Sequence, residues 1–105
     1  MTSYRVTEKE LESLVEWLNE ITGQPKEQYT KDEAGNYKSN IGNYHLSFAY
    51  GGVALHRMVN DGGGVTEPLY TGHVSKRELA ERLYAYIYGI QAGLELAKNQ
   101  ERAEA

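Results

Sequence analysis

Two runs in which apolar and polar residues alternate occupy the middle of the chain, within Tyr44–Val59, and Gly51 and Gly52 separate them. Alternation with a period of two is typical of a β-strand that has one buried face. Because glycine reaches positive φ without a Cβ clash, the two glycines predict a tight hairpin turn. The register that follows pairs Tyr50 with Val53, Phe48 with Leu55, Leu46 with Arg57 and Tyr44 with Val59.

The two faces of this predicted hairpin differ in chemistry. The face that carries the paired residues above is mainly aromatic and aliphatic, so we expect it to lie against the core. The other face is smaller and more polar. It consists of His45, Ser47, Ala49, Ala54, His56 and Met58.

The same helix-start signal occurs twice. Thr7 can cap a helix while Glu10 completes the capping box, and Ser75 and Glu78 have the same spacing. Apolar residues recur behind both starts with helical periodicity. The signals predict helices over Glu8–Thr22 and Lys76–Asn99, with Gly23 as a left-handed C-cap of the first and residues 100–105 as a frayed tail.

The remaining segments are less regular. The polar stretch Lys26–Asn43 has one turn signal and is interpreted either as a short outer hairpin or as a loop. Val65–Tyr70 is predicted to be a third strand, and Pro68 marks it as an edge strand. The predicted fold is therefore α+β, two helices packed on a small antiparallel sheet in the order helix, three strands, helix.

Composition narrows the class of protein. The 105 residues fit one domain spanning 1–105, and there is no cysteine for a disulfide or a thiolate site. The formal net charge of −4 makes a general electrostatic attraction to nucleic acid or to an anionic membrane unexpected. Nine tyrosines, against one Phe and one Trp, favour half-buried surfaces and protein interfaces. Without an apolar run of signal-peptide or membrane-span length, we expect a cytoplasmic protein.

Small residues form a line along the second predicted helix. Ala85, Gly89 and Gly93 are four residues apart, and Tyr84 and Tyr88 lie beside them. Glycine within a helix costs on the order of 1 kcal/mol relative to alanine, so the pattern indicates that another backbone approaches closely. That backbone belongs either to the same protomer or to a second copy in a homodimer.

A glycine-rich loop and the start of the second helix suggest a site for a small anion. Successive glycine N–H groups can form an anion-binding nest, and a helix N-terminus offers further donors. A phosphate group would suit such a site, although a mobile loop and solvated basic residues explain the same sequence. The predicted ligand-binding residues are Arg57, Gly62, Gly63, Gly64, Ser75, Lys76 and Arg77.

The three histidines are candidate metal ligands. His45 and His56 share one face of the hairpin, and His73 precedes the second helix. Neutral imidazoles bind zinc, but this face has no carboxylate and the chain has no cysteine, which favours a solvated or lightly packed pair. No serine-hydrolase elbow, zinc-protease helix or Walker loop occurs, so we predict no cofactor, no metal and no catalytic residues.

The run from Asn40 to Leu79 resembles a segment of small uncharacterised proteins encoded by tailed bacteriophages and prophages. The likeness is anchored on Tyr50-Gly51-Gly52, Arg57, Asn60, the loop Gly62–Gly64 and Lys76-Arg77-Glu78-Leu79. The resemblance implies an accessory phage protein that acts in the host cytoplasm in counter-defence or host takeover. It implies no catalytic residues.

The predicted order of elements is also that of the double-stranded-RNA-binding domain. That family places basic residues at the start of its second helix, where Lys76 and Arg77 match but Glu78 and Glu81 do not. We therefore expect a non-enzymatic protein that binds a host protein or a small anionic ligand. Nucleic-acid binding is the alternative.

Overall fold

A computed structural model describes residues 5–104 of the protein. Its strands form two antiparallel sheets, β1-β2 and β3-β4-β5, and the helices pack on the larger sheet. The predicted α+β class, with two helices on a small antiparallel sheet, is confirmed. The elements are α1 Glu8–Thr22, β1 Tyr29–Lys31, β2 Tyr37–Ser39, β3 Tyr44–Ala49, β4 Gly52–Met58, β5 Val65–Thr66 and α2 Lys76–Glu104.

Helix α1 begins and ends where the sequence predicts. The backbone N–H of Glu10 donates to the Thr7 hydroxyl over 3.1 Å, which satisfies one of the unpaired donors of the first turn. Gly23 adopts φ 68° and its N–H closes the last turn. The helix buries one apolar stripe against the sheet and α2, namely Leu11, Leu14, Val15 and Leu18.

The central hairpin forms with the predicted faces but with a different turn. The turn residues are Tyr50 and Gly51, with φ 54° and 73°, instead of Gly51 and Gly52. Positive φ at both central positions is the geometry of a type I′ turn, which matches the twist of the strands. The predicted register is therefore wrong by two residues, a shift that keeps every side chain on its face. The observed pairs are Tyr44 with Arg57, Leu46 with Leu55, Phe48 with Val53 and Ala49 with Gly52.

Gly52 belongs to β4 because the chain before α2 passes very close to it. A Cβ at position 52 would lie 2.9 Å from the carbonyl carbon of His73. Next to it, Val53 and Val74 exchange two backbone hydrogen bonds of 2.8 and 3.0 Å. Gly52 is therefore needed within β4, where the backbone of His73 leaves no room for a side chain. The two turn positions are consequently Tyr50 and Gly51 instead of Gly51 and Gly52.

The core lies between the apolar face of the hairpin and the two helices. The hairpin contributes Tyr44, Val53 and Leu55, and α2 contributes a stripe that includes Leu79, Leu83 and Ile87. The opposite face of the hairpin is covered as well, because Ala54 and Met58 are fully buried.

The segment before β3 forms the outer hairpin that was one of its two interpretations. Strands β1 and β2 pair from Tyr29 opposite Ser39 to Lys31 opposite Tyr37. The turn is held by Asp32, whose carboxylate accepts the N–H of Asn36 over 2.8 Å. This Asx-type bond satisfies the turn locally, so the hairpin forms although almost all of it is exposed.

Strand β5 is shorter than predicted. Only Val65 and Thr66 pair with β4, and residues 67–72 leave the sheet before the chain returns at Val74. Pro68 has no N–H to donate, and Tyr70 adopts φ 53°, so neither continues a ladder. The strand is at the edge of the sheet, as Pro68 suggested.

Helix α2 is longer than predicted and continues to Glu104. Its last turns contain alanine, glutamate, glutamine and arginine, which are good helix formers, and no glycine or proline ends it. Residues 92–103 are exposed, so this part of the helix extends beyond the core. Ala105, at the end of the predicted tail, lies outside the described residues. No helix within residues 5–104 has the length and apolarity required to cross a membrane.

Candidate functional site

Strand β3 is an edge strand whose free side faces α1. In the ladder with β4, alternate residues direct their backbone groups away from the partner strand. Tyr44 identifies the parity, because its N–H donates to Asn19 Oδ1 over 2.9 Å while its C=O accepts from Asn19 Nδ2 over 3.0 Å. The next residues of the same parity are Leu46 and Phe48.

The backbone groups of Leu46 and Phe48 make no comparable bonds. Within residues 5–104, no helix residue, loop or strand supplies a partner for their outward N–H and C=O groups. Both residues are accessible, since Leu46 is half-buried and the Phe48 side chain is 50% exposed. The outer edge of β3 therefore offers two donors and two acceptors at a spacing of two residues.

A groove runs along this edge. It has a volume of about 490 Å³, is open to solvent, and lies between α1, β3 and the loop that follows α1. The floor is apolar at Val15, Leu46 and Phe48, and the wall is formed by exposed charged side chains. Those charges are the carboxylates of Glu12, Glu16 and Glu27 and the ammonium group of Lys26, so the groove is acidic overall.

The arrangement of this groove suits an extended chain. Unpaired backbone groups of an edge strand can hydrogen-bond to an added strand, and pockets beside the edge can take its alternate side chains. The one histidine that lines the groove, His45, has its Nδ1 3.1 Å from the side-chain oxygen of Asn43.

The predicted anion site has a different geometry from the expected one. The N–H groups of Gly62 and Gly64 both donate to the side-chain oxygen of Asn60, over 3.0 and 2.9 Å. The N–H of Gly63 points to the Asn60 carbonyl at 3.3 Å. The donors that would form an anion nest are thus already occupied by Asn60.

The glycine loop and the start of α2 also lie far apart. The loop precedes β5 beside Met58, whereas the segment leading to Ser75, Lys76 and Arg77 joins β4 at Val53. Five residues of β4 separate these points, which is about 16 Å along the strand. The prediction that they form one site is therefore wrong, because they flank opposite ends of β4.

Arg57 is one residue from Met58, beside which the glycine loop lies, but its side chain packs on Tyr44. Its guanidinium group is 5.4 Å from the centroid of the Tyr44 ring, in a cation–π contact, and its Nε is buried without a hydrogen-bond partner among the described residues. The Tyr44 hydroxyl lies 3.2 Å from that of Tyr86. Burial, and then the bond to Tyr44, raise the pKa of Tyr86 to about 12, so this hydroxyl keeps its proton at neutral pH.

The three histidines come together on the polar face of the hairpin. The ring centroids of His45 and His56 are 5.8 Å apart, and those of His56 and His73 are 6.0 Å apart. The loop after β5 carries His73 onto this face, where its Nε2 lies 3.1 Å from the Ser47 hydroxyl. Only His45 and His56 were predicted to share this face, because the path of the loop that carries His73 is not a local property of the sequence.

Burial favours the neutral form of two histidines of the cluster, His45 and His56. Burial, followed by the charge of His56, lowers the pKa of His45. Burial also lowers the pKa of His56, against an opposing effect of Glu67 and with a further lowering by His73. Across residues 5–104, no three side chains of histidine or carboxylate type are arranged to hold a metal ion.

Among residues 5–104, no carboxylate is hydrogen-bonded to His73, whose ring contacts the Ser47 hydroxyl. The charge of Glu67 acts on His56, but the Glu67 carboxylate accepts hydrogen bonds from the Gly72 N–H and from the Thr71 hydroxyl. It therefore holds the turn of its own loop.

The small-residue stripe of α2 is open. Ala85, Gly89 and Gly93 are exposed, and a Cβ at either glycine would meet nothing within 4 Å. The expected close approach of a backbone does not occur among residues 5–104. Beside the stripe, Tyr88 is 57% exposed and makes an edge contact with Trp17 and a stacked contact with Tyr84.

Comparisons with protein-family models, with curated proteins and with solved structures find no match to this chain. The groove must therefore be interpreted from its own geometry. The groove is not predictable from the sequence, because the residue pattern of β3 does not show which side of the strand is left unpaired. The available signal was Asn19, a polar residue one position after Leu18 and four after Val15, at the border of the apolar stripe of α1.

Proposed function

We propose that this protein is a non-enzymatic binding protein that holds an extended segment of a partner protein in the groove between α1 and β3. The observation that carries the proposal is the unpaired outer edge at Leu46 and Phe48 beside an open groove. An unpaired edge strand can pair with other chains and so promotes aggregation. The groove beside β3 restricts which chains can reach this edge, which favours a specific partner.

The resemblance to small phage proteins supplies the biological setting of the proposal. The partner would be a host protein of the bacterial cytoplasm, and the outcome would be counter-defence or host takeover. Exposed aromatic residues support association through protein contacts, since tyrosine has a large apolar area and a polar tip. Tyr37, Tyr50 and Tyr70 are among the most exposed large side chains.

The two other predicted ligands have less support. Capture of a phosphate-bearing ligand requires free donors in the glycine loop, and Asn60 occupies those of Gly62 and Gly64. Nucleic-acid binding through Lys76 and Arg77 stays a prediction. An electrophoretic shift with duplex RNA that weakens steeply with salt would support it, and no shift at low salt would exclude it.

The proposed function is tested by selecting ligands from a displayed library of random linear peptides. Selected peptides should shift the backbone amide NMR signals of residues that line the groove, including Glu12, Glu16, Leu46 and Phe48. The double variant Glu12→Lys, Glu16→Lys should lose these peptides and keep its fold by circular dichroism. A library that yields no peptide, or peptides that map to another surface, would show that the groove is not a protein-binding site.

Self-association through α2 stays a prediction that the open stripe permits. A second copy could approach Gly89 and Gly93, because no side chain of the described residues fills that space. Light scattering decides the question. A dimer that Gly89→Leu splits would place the interface on the stripe, and a monomeric wild type would remove it.

A further inference from the structure

We infer that the partner segment binds as an added β-strand on β3 and that basic residues alternate with apolar ones along it. This inference rests on the proposed function and specifies the mode of binding and the chemistry of the ligand. It follows from the spacing of the unpaired backbone groups and from the position of the carboxylates on α1.

The backbone of β3 sets the register of the added strand. The outward N–H and C=O groups of Leu46 and Phe48 repeat every second residue, as an added antiparallel or parallel strand requires. Asn19 closes the edge at Tyr44, and the turn at Tyr50 ends it on the other side. The strand bound there is therefore short, with about four to five residues in contact.

The carboxylates on α1 determine which side chains the bound segment should carry. Glu12 and Glu16 are four residues apart on α1, which is about 6 Å along the helix axis. Alternate residues of a β-strand are about 6.6 Å apart and point to the same side. Two lysine or arginine side chains at alternate positions of the ligand can therefore each meet one carboxylate.

The charge balance of the groove agrees with this spacing. Glu27 adds a third carboxylate at the end of the groove, and Lys26 is the opposing basic side chain. An acidic segment would meet these carboxylates with repulsion, whereas a basic one gains attraction and a faster encounter at low salt. The positions between the basic residues face away from α1 and suit β-branched residues, which have high strand propensity.

The test uses two blocked octapeptides, one in which valine alternates with lysine and one in which glutamate replaces lysine. We expect the lysine peptide to bind about tenfold more tightly, since two exposed ion pairs are gained. Binding should slow hydrogen exchange at the amides of Leu46 and Phe48, which become donors to the added strand. It should leave the amide exchange of Ser47 unchanged, because this residue already pairs with Ala54.

Charge reversal on α1 separates specific attraction from a general effect of net charge. Glu12→Lys with Glu16→Lys should remove the preference for the lysine peptide. The control Glu20→Lys with Glu33→Lys changes the net charge by the same amount at exposed positions outside the groove and should keep the preference. Equal loss in both variants would overturn the assignment of the carboxylates.

The backbone contribution is tested at Phe48. Phe48→Pro removes an N–H that is not used in the ladder with β4, and Phe48→Val keeps it with a side chain that favours strands. Both should fold, and only the proline variant should lose the peptide. A ligand-side test avoids any change in the fold: N-methylation of every second peptide bond should abolish binding in one parity and not in the other.

The outcomes distinguish this inference from the proposed function. Peptides that shift the amide NMR signals of Glu12 and Glu16 without slowing hydrogen exchange at the Leu46 and Phe48 amides would exclude strand addition. The groove would remain a binding site. Binding with equal sensitivity to both N-methylation patterns would exclude strand addition as well. If no peptide from the library or of either octapeptide type contacts the groove, the proposed function and this inference both fail.

Discussion

The side-chain amide of Asn19 hydrogen-bonds to both the N–H and the C=O of Tyr44, so a residue of α1 provides the pairing that a neighbouring strand would provide. Asn19 is 2% exposed, and both bonds are buried. It joins the helix to the first residue of β3 and also ends the part of the strand edge that is open to a ligand.

Replacement of Asn19 by alanine should be strongly destabilising. Asn19→Ala leaves the Tyr44 N–H and C=O without partners in a buried place, and we expect the free energy of unfolding to fall by about 2–4 kcal/mol. Urea denaturation measures the change. The control Glu20→Ala alters an exposed neighbour and should change it by less than about 0.5 kcal/mol. A loss below about 1 kcal/mol for Asn19→Ala would mean that water replaces the amide.

Gly52→Ala should destabilise the junction between β4 and the segment before α2. The added Cβ would lie 2.9 Å from a backbone atom of His73, which cannot move without breaking the pairing of Val53 with Val74. We expect a loss of about 1–3 kcal/mol by thermal or urea unfolding. Gly51→Asn is the control, because position 51 is open and asparagine tolerates φ 73°. A neutral Gly52→Ala would contradict the close approach.

Tyr50→Asn should stabilise the hairpin. Tyr50 is 95% exposed and holds φ 54° at the first central position of a type I′ turn, where asparagine is preferred. We expect a gain of about 0.5–1 kcal/mol in the free energy of unfolding, less any contribution from its edge contact with His73. Gly51→Ala, which places a Cβ at φ 73°, should instead lose about 1 kcal/mol. A destabilising Tyr50→Asn would show that the ring contact dominates.

The histidine cluster should make the protein less stable in mild acid. The pKa of His45 and that of His56 are lowered in the folded state, so the unfolded chain takes up protons first as the pH falls below the ordinary value of 6.5. Stability is therefore present above pH 6.5 and is lost as the pH falls through the lowered folded pKa values. The double variant His45→Gln, His56→Gln removes this contribution while the carboxylates, Glu67 included, stay in place.

The measurement is the free energy of unfolding of both proteins between about pH 7 and pH 5. The wild type should lose more stability than the double variant over this range. Equal slopes would mean that His45 and His56 titrate alike in the folded and unfolded states.

Gly89→Ala should stabilise α2 by about 1 kcal/mol. The position is exposed within a helix, and the new methyl group would meet nothing within 4 Å. The reciprocal change at a neighbouring exposed site, Ala85→Gly, should lose a similar amount. Thermal unfolding of the dilute protein checks both. Destabilisation by Gly89→Ala in concentrated protein alone would indicate that a second copy packs on the stripe.

The helices were predictable because their signals are local. Thr7 with Glu10, the apolar stripe of α1, and Gly23 in the left-handed conformation act within a few residues, and the structure reproduces all three. The far end of α2 was predicted too short, since a helix with no stop signal continues for as long as its residues have high helix propensity.

The turn and the sites were less predictable because they depend on distant contacts. Two glycines in a row were compatible with two turn positions, and the approach of His73 to Gly52 selected one of them. The composition of the glycine loop is typical of an anion nest, but the N–H groups of Gly62 and Gly64 donate to the Asn60 side chain instead. The same loop path brings His73 to the other histidines.

By itself the sequence determined where both helices begin, where the two strands of the central hairpin lie and which face of that hairpin is apolar, because propensity, capping and hydrophobic periodicity are properties of neighbouring residues. Only the tertiary structure decided which edge of the sheet stays unpaired, since the free side of β3 depends on where α1 and β5 lie in space. The groove beside Leu46 and Phe48 is a consequence of that arrangement, and a linear pattern of residues does not encode it.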